Sequence, residues 1–379
     1  MTGGQAVVES LKVNEVDTVV GLIGSSTLEI LDALYDSKNI RYIGCHDERS
    51  GIIMSDAYAR MKNKHGVFLA GQAGPGATNT VTGLAQAKAA FSPVVSLAGA
   101  ISSEHEGKDA FQEVDQQSLF TPVTKKSFKI SDTKDIHSVM QEAFKVAITP
   151  RMGPVNINLP RDVMGKTSDF QDPTKYQIDR LPEAKVSSLM KAVELLTKAK
   201  NPVIIVGAGI KNNSSHETVL ALAELIKAPC CTSAGHGDAL PFEHPLNAGQ
   251  MGPRGNPVAT KLTKEADVIM AIGTRLGFNS TFFSYEYINK KAKIIQIELE
   301  KKMLGRYFPI QIGINADAET SANQLLNELK KQKIKLDVKN WTKQFLKERS
   351  GYLLNRDKFK YKNYPIQPFG LFKELRKVL

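Results

Sequence analysis

The stretch Cys45–Arg60, which reads CHDERSGIIMSDAYAR, decides how the first half of the chain is interpreted. It follows residues 40–44, a short apolar run that is typical of a β-strand. Asp47 is a residue type that caps helix N-termini, and Glu48 falls in the first helical turn, where the helix dipole favours a negative charge. From Ile53 onward, residues recur at helical spacing. The stretch therefore predicts a strand followed by a helix that begins at Glu48.

The same alternation of strand and helix signals continues through most of the sequence. In the first half, strands are predicted at residues 18–23, 40–44, 66–70, 93–98 and 153–163. In the second half, strands are predicted at residues 202–209, 267–273 and 293–299. Strands that alternate with helices form parallel sheets with helices on both faces. The expected fold class is therefore α/β, with two doubly wound parallel-sheet domains.

Three segments with small or polar residues directly follow predicted strands. They are the Gly24–Ser26 turn, the segment that contains Glu48, and the Gly71–Asn79 loop. Glycines in such turns allow a backbone or a ligand to approach closely. Because ligands of open α/β sheets bind beyond the carboxyl ends of the strands, we expect all three segments to face one crevice.

Length and composition limit the class of protein. With 379 residues, 42% apolar and 23% charged, the chain is expected to form two or three globular domains. It has no apolar run of about 18 residues, and residues 1–8 lack the pattern of a signal peptide. Its three cysteines show no zinc-site spacing and suit a reducing compartment. We expect a cytoplasmic protein without a membrane partner.

The formal net charge of +11 raises the question of nucleic-acid binding. The basic residues are spread along the chain and are densest between residues 330 and 362. No nucleic-acid-binding motif accompanies them. A solvated lysine-rich helix is the expected explanation, and no nucleic-acid partner is expected.

A set of motifs resembles one enzyme family. Glu48 stands ten residues before Tyr58 of the run Asp56–Arg60. Three further segments match the same family in the same order: Gly71–Asn79, Phe111–Asp115 and Pro122–Lys125. The sequence thus resembles the thiamine-diphosphate enzymes of the acetolactate synthase family. By that resemblance, Glu48 hydrogen-bonds N1′ of the cofactor's aminopyrimidine, and the small-molecule substrate reacts through a carbanion at C2 of the cofactor.

The resemblance also implies roles for individual residues. Glu48 and Gln112 are expected to be catalytic. The expected cofactor-binding residues are Gly24, Ser25, Glu48, Gly74, Pro75, Gly76 and Asn79. The expected substrate-binding residues are Phe111, Gln112 and Lys125. The chain departs from the family at Asp47, where a histidine is usual, since His46 is displaced by one position.

The expected domains also follow from the resemblance. They are a pyrimidine-binding domain (1–165), a linker (166–185), a central Rossmann-like domain (186–330), a second linker (331–365) and the start of a diphosphate-binding domain (366–379). In the family, that third domain holds Mg²⁺ and the diphosphate through a Gly-Asp-Gly motif and a later Asn. No such motif occurs here, so this chain is expected to hold no metal and to be inactive by itself.

Two members of the family remain as alternatives. Gly76–Asn79 and the Thr124–Lys125 pair resemble acetolactate synthase of branched-chain amino-acid synthesis, whereas Gly71–Gln72 and Gly273–Leu276 resemble sulfoacetaldehyde acetyltransferase. Both imply a transferase that acts on a 2-oxo acid or 2-oxo-aldehyde-type substrate, as a homodimer or homotetramer. The FAD-associated turn of acetolactate synthase has a second arginine where this chain has Asn279, which disfavours FAD without excluding it.

A protein of another class fits the same pattern. Two α/β domains can bind a partner chain or a nucleotide and perform no catalysis, or supply only half of an active site. The sequence that follows Leu379 distinguishes these alternatives, because a Gly-Asp-Gly motif there supports an enzyme.

Overall fold

The computed structural model describes residues 1–210, 215–358 and 364–378. It divides the chain into two compact units, Met1–Arg180 and Leu181–Leu379. Each unit contains a six-stranded sheet in which every strand pair is parallel, so the predicted fold class is confirmed. Two parts of the predicted domains lie outside the described residues: 359–363 of the second linker, and Leu379 of the start of the third domain.

The first unit alternates strands and helices along its whole length. Its strands are β1 (Thr18–Leu22), β2 (Arg41–Gly44), β3 (Gly66–Ala70), β4 (Val94–Ala100), β5 (Lys126–Lys129) and β6 (Val155–Pro160). Its helices are α1 (Gly3–Val13), α2 (Leu28–Asp36), α3 (Glu48–Lys62), α4 (Pro75–Asn79), α5 (Val81–Ala90), α6 (Gln116–Phe120), α7 (Ile136–Ile148) and α8 (Arg161–Gly165). The sheet order is β2-β1-β3-β4-β6-β5.

This strand order creates a switch point between β1 and β3. From β1 the chain first moves to one side, to β2, and then crosses to the other side, to β3. Ligands of open α/β sheets bind at such a point, outside the carboxyl ends of the strands. The segments that begin at Gly24 and Gly71 follow β1 and β3 and therefore lie at this position.

The sheet of the first unit is buried on both faces, as expected for an all-parallel sheet. Successive residues of β3 point to opposite sides, so that Leu69 packs into one apolar cluster and Phe68 into the other. The first cluster includes α1 and α7 residues such as Leu11 and Phe144, and the second includes Ile52 of α3. These two layers hold the strand ends in fixed positions.

Helix α3 begins at Glu48 and is capped by Asp47, as the sequence predicts. The Arg49 backbone N–H donates to Asp47 Oδ1 over 2.7 Å. The face that packs on the sheet contains Ile52, while Ile53 is exposed. Ile52 fits on the buried face because Gly83 of α5 has no side chain. An added Cβ at Gly83 would lie only 2.0 Å from the Ile52 side chain.

The second unit has the same kind of architecture with a different order of connections. Its strands are β7 (Pro202–Val206), β8 (Cys230–Thr232), β9 (Asn247–Gln250), β10 (Val268–Ile272), β11 (Lys293–Ile297) and β12 (Ile312–Ile314). Its helices are α9 (Val186–Thr197), α10 (Ser215–Ile226), α11 (Pro257–Glu265), α12 (Phe278–Thr281), α13 (Ala318–Lys331), α14 (Lys339–Asp357) and α15 (Pro368–Val378). The sheet order is β12-β11-β10-β7-β8-β9.

Helix α14 lies in the segment that was expected to be a solvated linker. Trp341 and Phe345 are buried in the core of the second unit, and Trp341 Nε1 donates to Pro202 O over 3.0 Å. Lys343 and Lys347 stay exposed. Only one side of the helix is therefore solvated, since two aromatic residues at i and i+4 form an apolar stripe. Among the described helices, none has both the length and the apolar character needed to cross a membrane.

Candidate active site

Glu48 is a buried carboxyl at the first position of α3, with only 7% of its surface exposed. Its Oε2 accepts a 3.0 Å hydrogen bond from Nδ2 of Asn79, at the end of α4. At the neighbouring Asp47, hydrogen bonds from the Arg49 side chain and backbone lower the pKa of the carboxylate to about 2. Asp47 therefore caps the helix end, while Glu48 is a buried carboxyl in its first turn.

The turn Gly74–Gly76 packs closely on this carboxyl. An added Cβ at Gly76 would lie 3.2 Å from Glu48 Oε1 and 3.2 Å from Gln72 Cβ. Gly74 has a φ of 63°, a conformation that favours glycine, and Pro75 is the exposed first residue of α4. Because Gly76 has no side chain, the turn lies against the Glu48 carboxyl without crowding it.

The turns after β1 and β3 are packed directly on each other. An added Cβ at Gly24 would lie 2.3 Å from the carbonyl carbon of Gly71, so the two backbones are in contact. Ser25 donates to Gln72 Oε1 from both its backbone N and its Oγ, each over 3.1 Å. Ser26 Oγ accepts from the backbone N of Ala73 over 3.1 Å. These contacts fix the two strand-end turns relative to each other.

Gln112 approaches the same turns from the loop before α6. Its Oε1 accepts a 2.6 Å hydrogen bond from Gln72 Nε2, and its backbone oxygen would lie 2.2 Å from a Cβ added at Gly74. Glu113 ties the loop together, because the backbone N–H groups of Gly107 and Ala110 donate to its carboxylate and thereby lower its pKa. The neighbouring Phe111 is 83% exposed.

The structure does not bring Lys125 to this crevice. Lys125 precedes β5 and so lies at the amino-terminal edge of the parallel sheet, opposite the strand ends that carry Glu48. Its ammonium group donates to Val146 O and to Thr149 O, at the C-terminus of α7. A lysine in that position satisfies free carbonyl groups and complements the helix dipole. In the described structure Lys125 thus caps α7, and its expected substrate-binding role stays a prediction.

Two further residues hold the crevice together and received no role from the sequence. Gln72 was noted only as part of a motif, although it contacts both Ser25 and Gln112. Gln116 is buried, accepts from the backbone N of Gly74 over 3.2 Å, and donates to Asn158 Oδ1 over 3.1 Å. For Gln72, its position in the glycine-rich loop was an available signal. For Gln116 no signal existed, because nothing in the local sequence shows which backbone group a glutamine will reach.

A metal centre is not found in the described ranges. No group of three or more His, Cys, Asp and Glu side chains among residues 1–210, 215–358 and 364–378 could hold a metal ion. In the second unit, Asn279 is an exposed residue of α12, and Arg275 follows β10. The expectation about FAD stays a prediction.

Two sequence models of one enzyme family match the chain. The model described as "Thiamine pyrophosphate enzyme, N-terminal TPP binding domain" matches residues 1–119, and the model described as "Thiamine pyrophosphate enzyme, central domain" matches residues 189–325. Together they cover more than half of the chain, and each lies within one of the two compact units.

Curated proteins resemble the chain over most of its length. A probable acetolactate synthase large subunit of Methanocaldococcus jannaschii is 34% identical over 100% of this chain and 64% of its own length. A sulfoacetaldehyde acetyltransferase of Alcaligenes xylosoxydans xylosoxydans is 37% identical over 87% of this chain and 54% of its own length. The acetolactate synthase large subunit of Corynebacterium glutamicum is 33% identical over 90% and 55%, respectively. The chain therefore spans between about half and two thirds of the length of these relatives.

Proposed function

Because the chain belongs to the thiamine pyrophosphate enzyme family, we propose that its first unit binds thiamine diphosphate in the strand-end crevice. We further propose that the whole protein is a thiamine-diphosphate-dependent transferase that acts on a 2-oxo acid or 2-oxo-aldehyde-type substrate. The observation that carries this proposal is the buried Glu48 carboxyl, which lies at a helix N-terminus beside the side-chain-free position of Gly76.

The residues present fit the aminopyrimidine ring of this cofactor. A carboxyl near the strand ends can hydrogen-bond a ring nitrogen, and Gly76, which lacks a side chain, does not crowd that carboxyl, whereas a Cβ there would lie 3.2 Å from Glu48 Oε1. The residues that would hold the ring are those predicted from the sequence: Gly24, Ser25, Glu48, Gly74, Pro75, Gly76 and Asn79. When bound, thiamine diphosphate supplies the electron sink that this family of reactions needs.

The residues of the chain contribute position and proton transfer. With the cofactor bound, Glu48 would hydrogen-bond N1′ of the pyrimidine and exchange a proton with it, and the burial of Glu48 would limit competition from bulk water. Asn79 donates to Glu48 Oε2 and so fixes the rotation of the carboxyl. Gln112 is held next to the Gly74 turn, where it can contact the substrate.

Both family members remain candidates for the reaction of the whole protein. Relatives of both names match the chain at similar identity. We propose a reaction like that of either sulfoacetaldehyde acetyltransferase or acetolactate synthase. Both stay candidates because Gly71–Gln72 resembles the former and Gly76–Asn79 the latter. Mg²⁺ as a second cofactor, and FAD as a disfavoured one, belong to the same proposal.

An assay with two substrates tests the proposed function. The whole protein, loaded with thiamine diphosphate and Mg²⁺, is supplied either with pyruvate, with acetolactate as the measured product, or with sulfoacetaldehyde and phosphate as acetyl acceptor, with the consumption of sulfoacetaldehyde measured. We expect one of the two reactions, and we expect it to disappear when thiamine diphosphate is omitted. Turnover of neither substrate, together with no calorimetric binding of the cofactor, would favour the non-catalytic α/β binding protein.

A homo-oligomer is proposed as the form in which the crevice is closed. Apolar side chains are exposed on segments around the strand ends, including Ile23, Leu28, Met54 and Phe111. Exposed apolar groups of this kind mark surfaces that other chains cover. Sedimentation of the cofactor-loaded protein, compared with a Phe111→Asp variant, tests this: we expect a dimer or tetramer that the substitution weakens, and a fully active monomer would contradict the proposal.

A cytoplasmic location is proposed from the cysteines. Cys45, Cys230 and Cys231 are all free thiols, which a reducing compartment preserves. Thiol titration of the protein isolated from cell extract under non-reducing conditions checks this, with three free thiols expected per chain.

A further inference from the structure

Gln72 lies at the centre of the polar contacts of the crevice. Its Oε1 accepts from Ser25 N and Oγ, each over 3.1 Å, and its Nε2 donates to Gln112 Oε1 over 2.6 Å. It thereby connects the turn after β1 with the loop before α6. This half-buried amide is the link through which Gln112 is held.

The backbone N–H of Ser25 determines the direction in which these hydrogen bonds run. A backbone N–H can only donate, so the Gln72 atom that faces it is the carbonyl oxygen. The amino group of Gln72 is then the atom that faces Gln112, and it requires an acceptor there. Gln112 must therefore turn its own oxygen toward Gln72. Its amino group then points away from Gln72, at the end of this series of hydrogen bonds.

The amino group of Gln112 is thus available to a ligand. No acceptor in the described part of the chain pairs with Gln112 Nε2. The backbone of Gln112 has a φ of 62° and rests on Gly74, where an added Cβ would lie 2.2 Å from Gln112 O and 3.2 Å from Gln112 Cβ. The backbone and Cβ of Gln112 are therefore held beside Gly74, and its amide oxygen is held by Gln72.

We propose that Gln72 is a positioning residue that makes Gln112 present a hydrogen-bond donor to the crevice, and that the crevice therefore selects ligands with an acceptor oxygen at that point. A carbonyl, carboxylate or sulfonate oxygen satisfies the donor. A ligand that presents an ammonium group there is rejected, because two donors would face each other. The selection of substrates rests on the proposed function, whereas the direction of the hydrogen bonds does not.

Gln72→Glu reverses the direction while it preserves the size of the side chain. A carboxylate still accepts from Ser25, but it has no donor for Gln112. The Gln112 amide then turns, donates to the new carboxylate, and presents its oxygen to the crevice. Gln72→Met removes all three hydrogen bonds without adding charge, and Gln171→Glu adds the same charge at an exposed position as a control.

Hydrogen exchange of glutamine side-chain amides tests the direction without cofactor or activity. The full chain is labelled with ¹⁵N at the glutamine side chains, and the Gln72 and Gln112 signals are assigned by substitution. In the wild type we expect slow exchange for the Gln72 amino group and fast exchange for that of Gln112. In Gln72→Glu the Gln112 amino group becomes slow, whereas Gln72→Met leaves it fast. Slow exchange at Gln112 in the wild type, or no change in Gln72→Glu, would overturn the inference.

The KM of the cofactor-loaded whole protein for whichever of the two substrates, pyruvate or sulfoacetaldehyde, it turns over tests the consequence for selection. We expect Gln72→Glu to raise KM about tenfold, because an acceptor then faces the substrate oxygen, with a much smaller effect on kcat. In a Gln112→Ala background the same substitution should add almost nothing, since its effect passes through Gln112. An equal rise of KM in that background would assign the effect to charge alone and contradict the proposal.

The two measurements separate the possible failures. If the protein shows no thiamine-dependent turnover but the amide exchange follows the expected pattern, the proposed function fails and the positioning role of Gln72 stands. If the protein is active and the amide exchange does not follow the pattern, the positioning role fails alone.

Discussion

The two units of this protein have the same kind of sheet and the same glycine contact at the switch point, and in the first unit Gln72 and Gln112 form hydrogen bonds beside that contact. In the first unit Gly24 packs on Gly71, where an added Cβ at Gly24 would lie 2.3 Å from the Gly71 carbonyl carbon. In the second unit Gly209 packs on Gly273, where an added Cβ at Gly209 would lie 2.7 Å from Gly273 Cα. The glycines are therefore explained by the close crossing of two strand-end turns, whatever the function of the unit.

The difference lies in the carboxyl groups near the strand ends. Glu48 and Glu298 are both buried, with 7% and 6% of their surfaces exposed. Glu48 begins a long helix and packs beside Gly76, whereas Oε1 of Glu298 accepts from the adjacent backbone N–H of Leu299 over 3.0 Å. Burial of an acid is thus insufficient to indicate chemistry, because both units contain a buried acid near the strand ends. A shared fold does not imply a shared function.

Substitution of the two glutamates is expected to give the largest contrast. In cofactor-loaded protein, Glu48→Gln should reduce kcat by about 10²–10⁴-fold, because the amide cannot exchange the proton. Glu298→Gln should leave kcat close to the wild-type value. Steady-state kinetics and thermal melting of both variants check this. Equal losses of kcat in the two variants would remove the distinction between the units.

Acid is expected to destabilise the first unit through His65. This buried residue contacts Phe144 and Tyr176, and burial lowers its pKa from 6.5 to about 4. Because the unfolded chain binds a proton that the folded chain does not, stability is complete above pH 6.5 and is lost as the pH falls toward 4, by up to about 3 kcal/mol.

Amide hydrogen exchange of the first unit, measured between pH 6.5 and 4, checks the His65 prediction. His65→Gln keeps a donor for Phe144 O and should flatten the pH dependence. If the variant lost stability over the same pH range as the wild type, another group would be responsible.

Alanine at one glycine of each unit should separate function from stability. At Gly76 the added Cβ meets the Glu48 side chain at 3.2 Å, so Gly76→Ala should weaken cofactor binding with little change in Tm. At Gly207 the Cβ would lie 2.5 Å from the backbone oxygen of Gly273, so Gly207→Ala should cost about 1–3 kcal/mol of stability. Calorimetric titration and melting curves of both variants make the comparison. If Gly76→Ala lowered Tm and left cofactor binding unchanged, Gly76 would have a structural role instead.

The sequence predicted the long alternating elements well, because their apolar runs and caps are local signals. The predicted strands at 18–23 and 66–70 correspond to β1 and β3, and Asp47 caps α3 as expected. The four short strands β5, β8, β9 and β12 were missed, since each has only three or four residues and gives a weak local signal.

The candidate site was predicted less completely, because its contacts join distant segments. The structure brings together Glu48, Asn79 and Gln112 around the glycine turns. The links through Gln72 and Gln116 depend on tertiary packing and leave no periodic pattern. Lys125 was assigned by motif alone, and a motif does not show which edge of the sheet a residue reaches.

Lys125→Met is expected to have the smallest effect. Loss of the ammonium group at the C-terminus of α7 should cost about 0.3–1 kcal/mol of stability, and KM should be unchanged. Methionine keeps the side-chain contact with Gly153. A raised KM with an unchanged Tm would instead place Lys125 at a substrate site.

Exchange of the C2 proton of bound thiamine diphosphate tests the central claim most directly, because it requires no knowledge of the substrate. The exchange rate is measured by NMR in Mg²⁺-containing buffer for the wild type and for Glu48→Gln, each at saturating cofactor. The account predicts that the wild type accelerates exchange over free cofactor and that the variant is slower by about 10²–10⁴-fold. Equal exchange rates in the two proteins would contradict the assignment of Glu48 as the proton-transferring group.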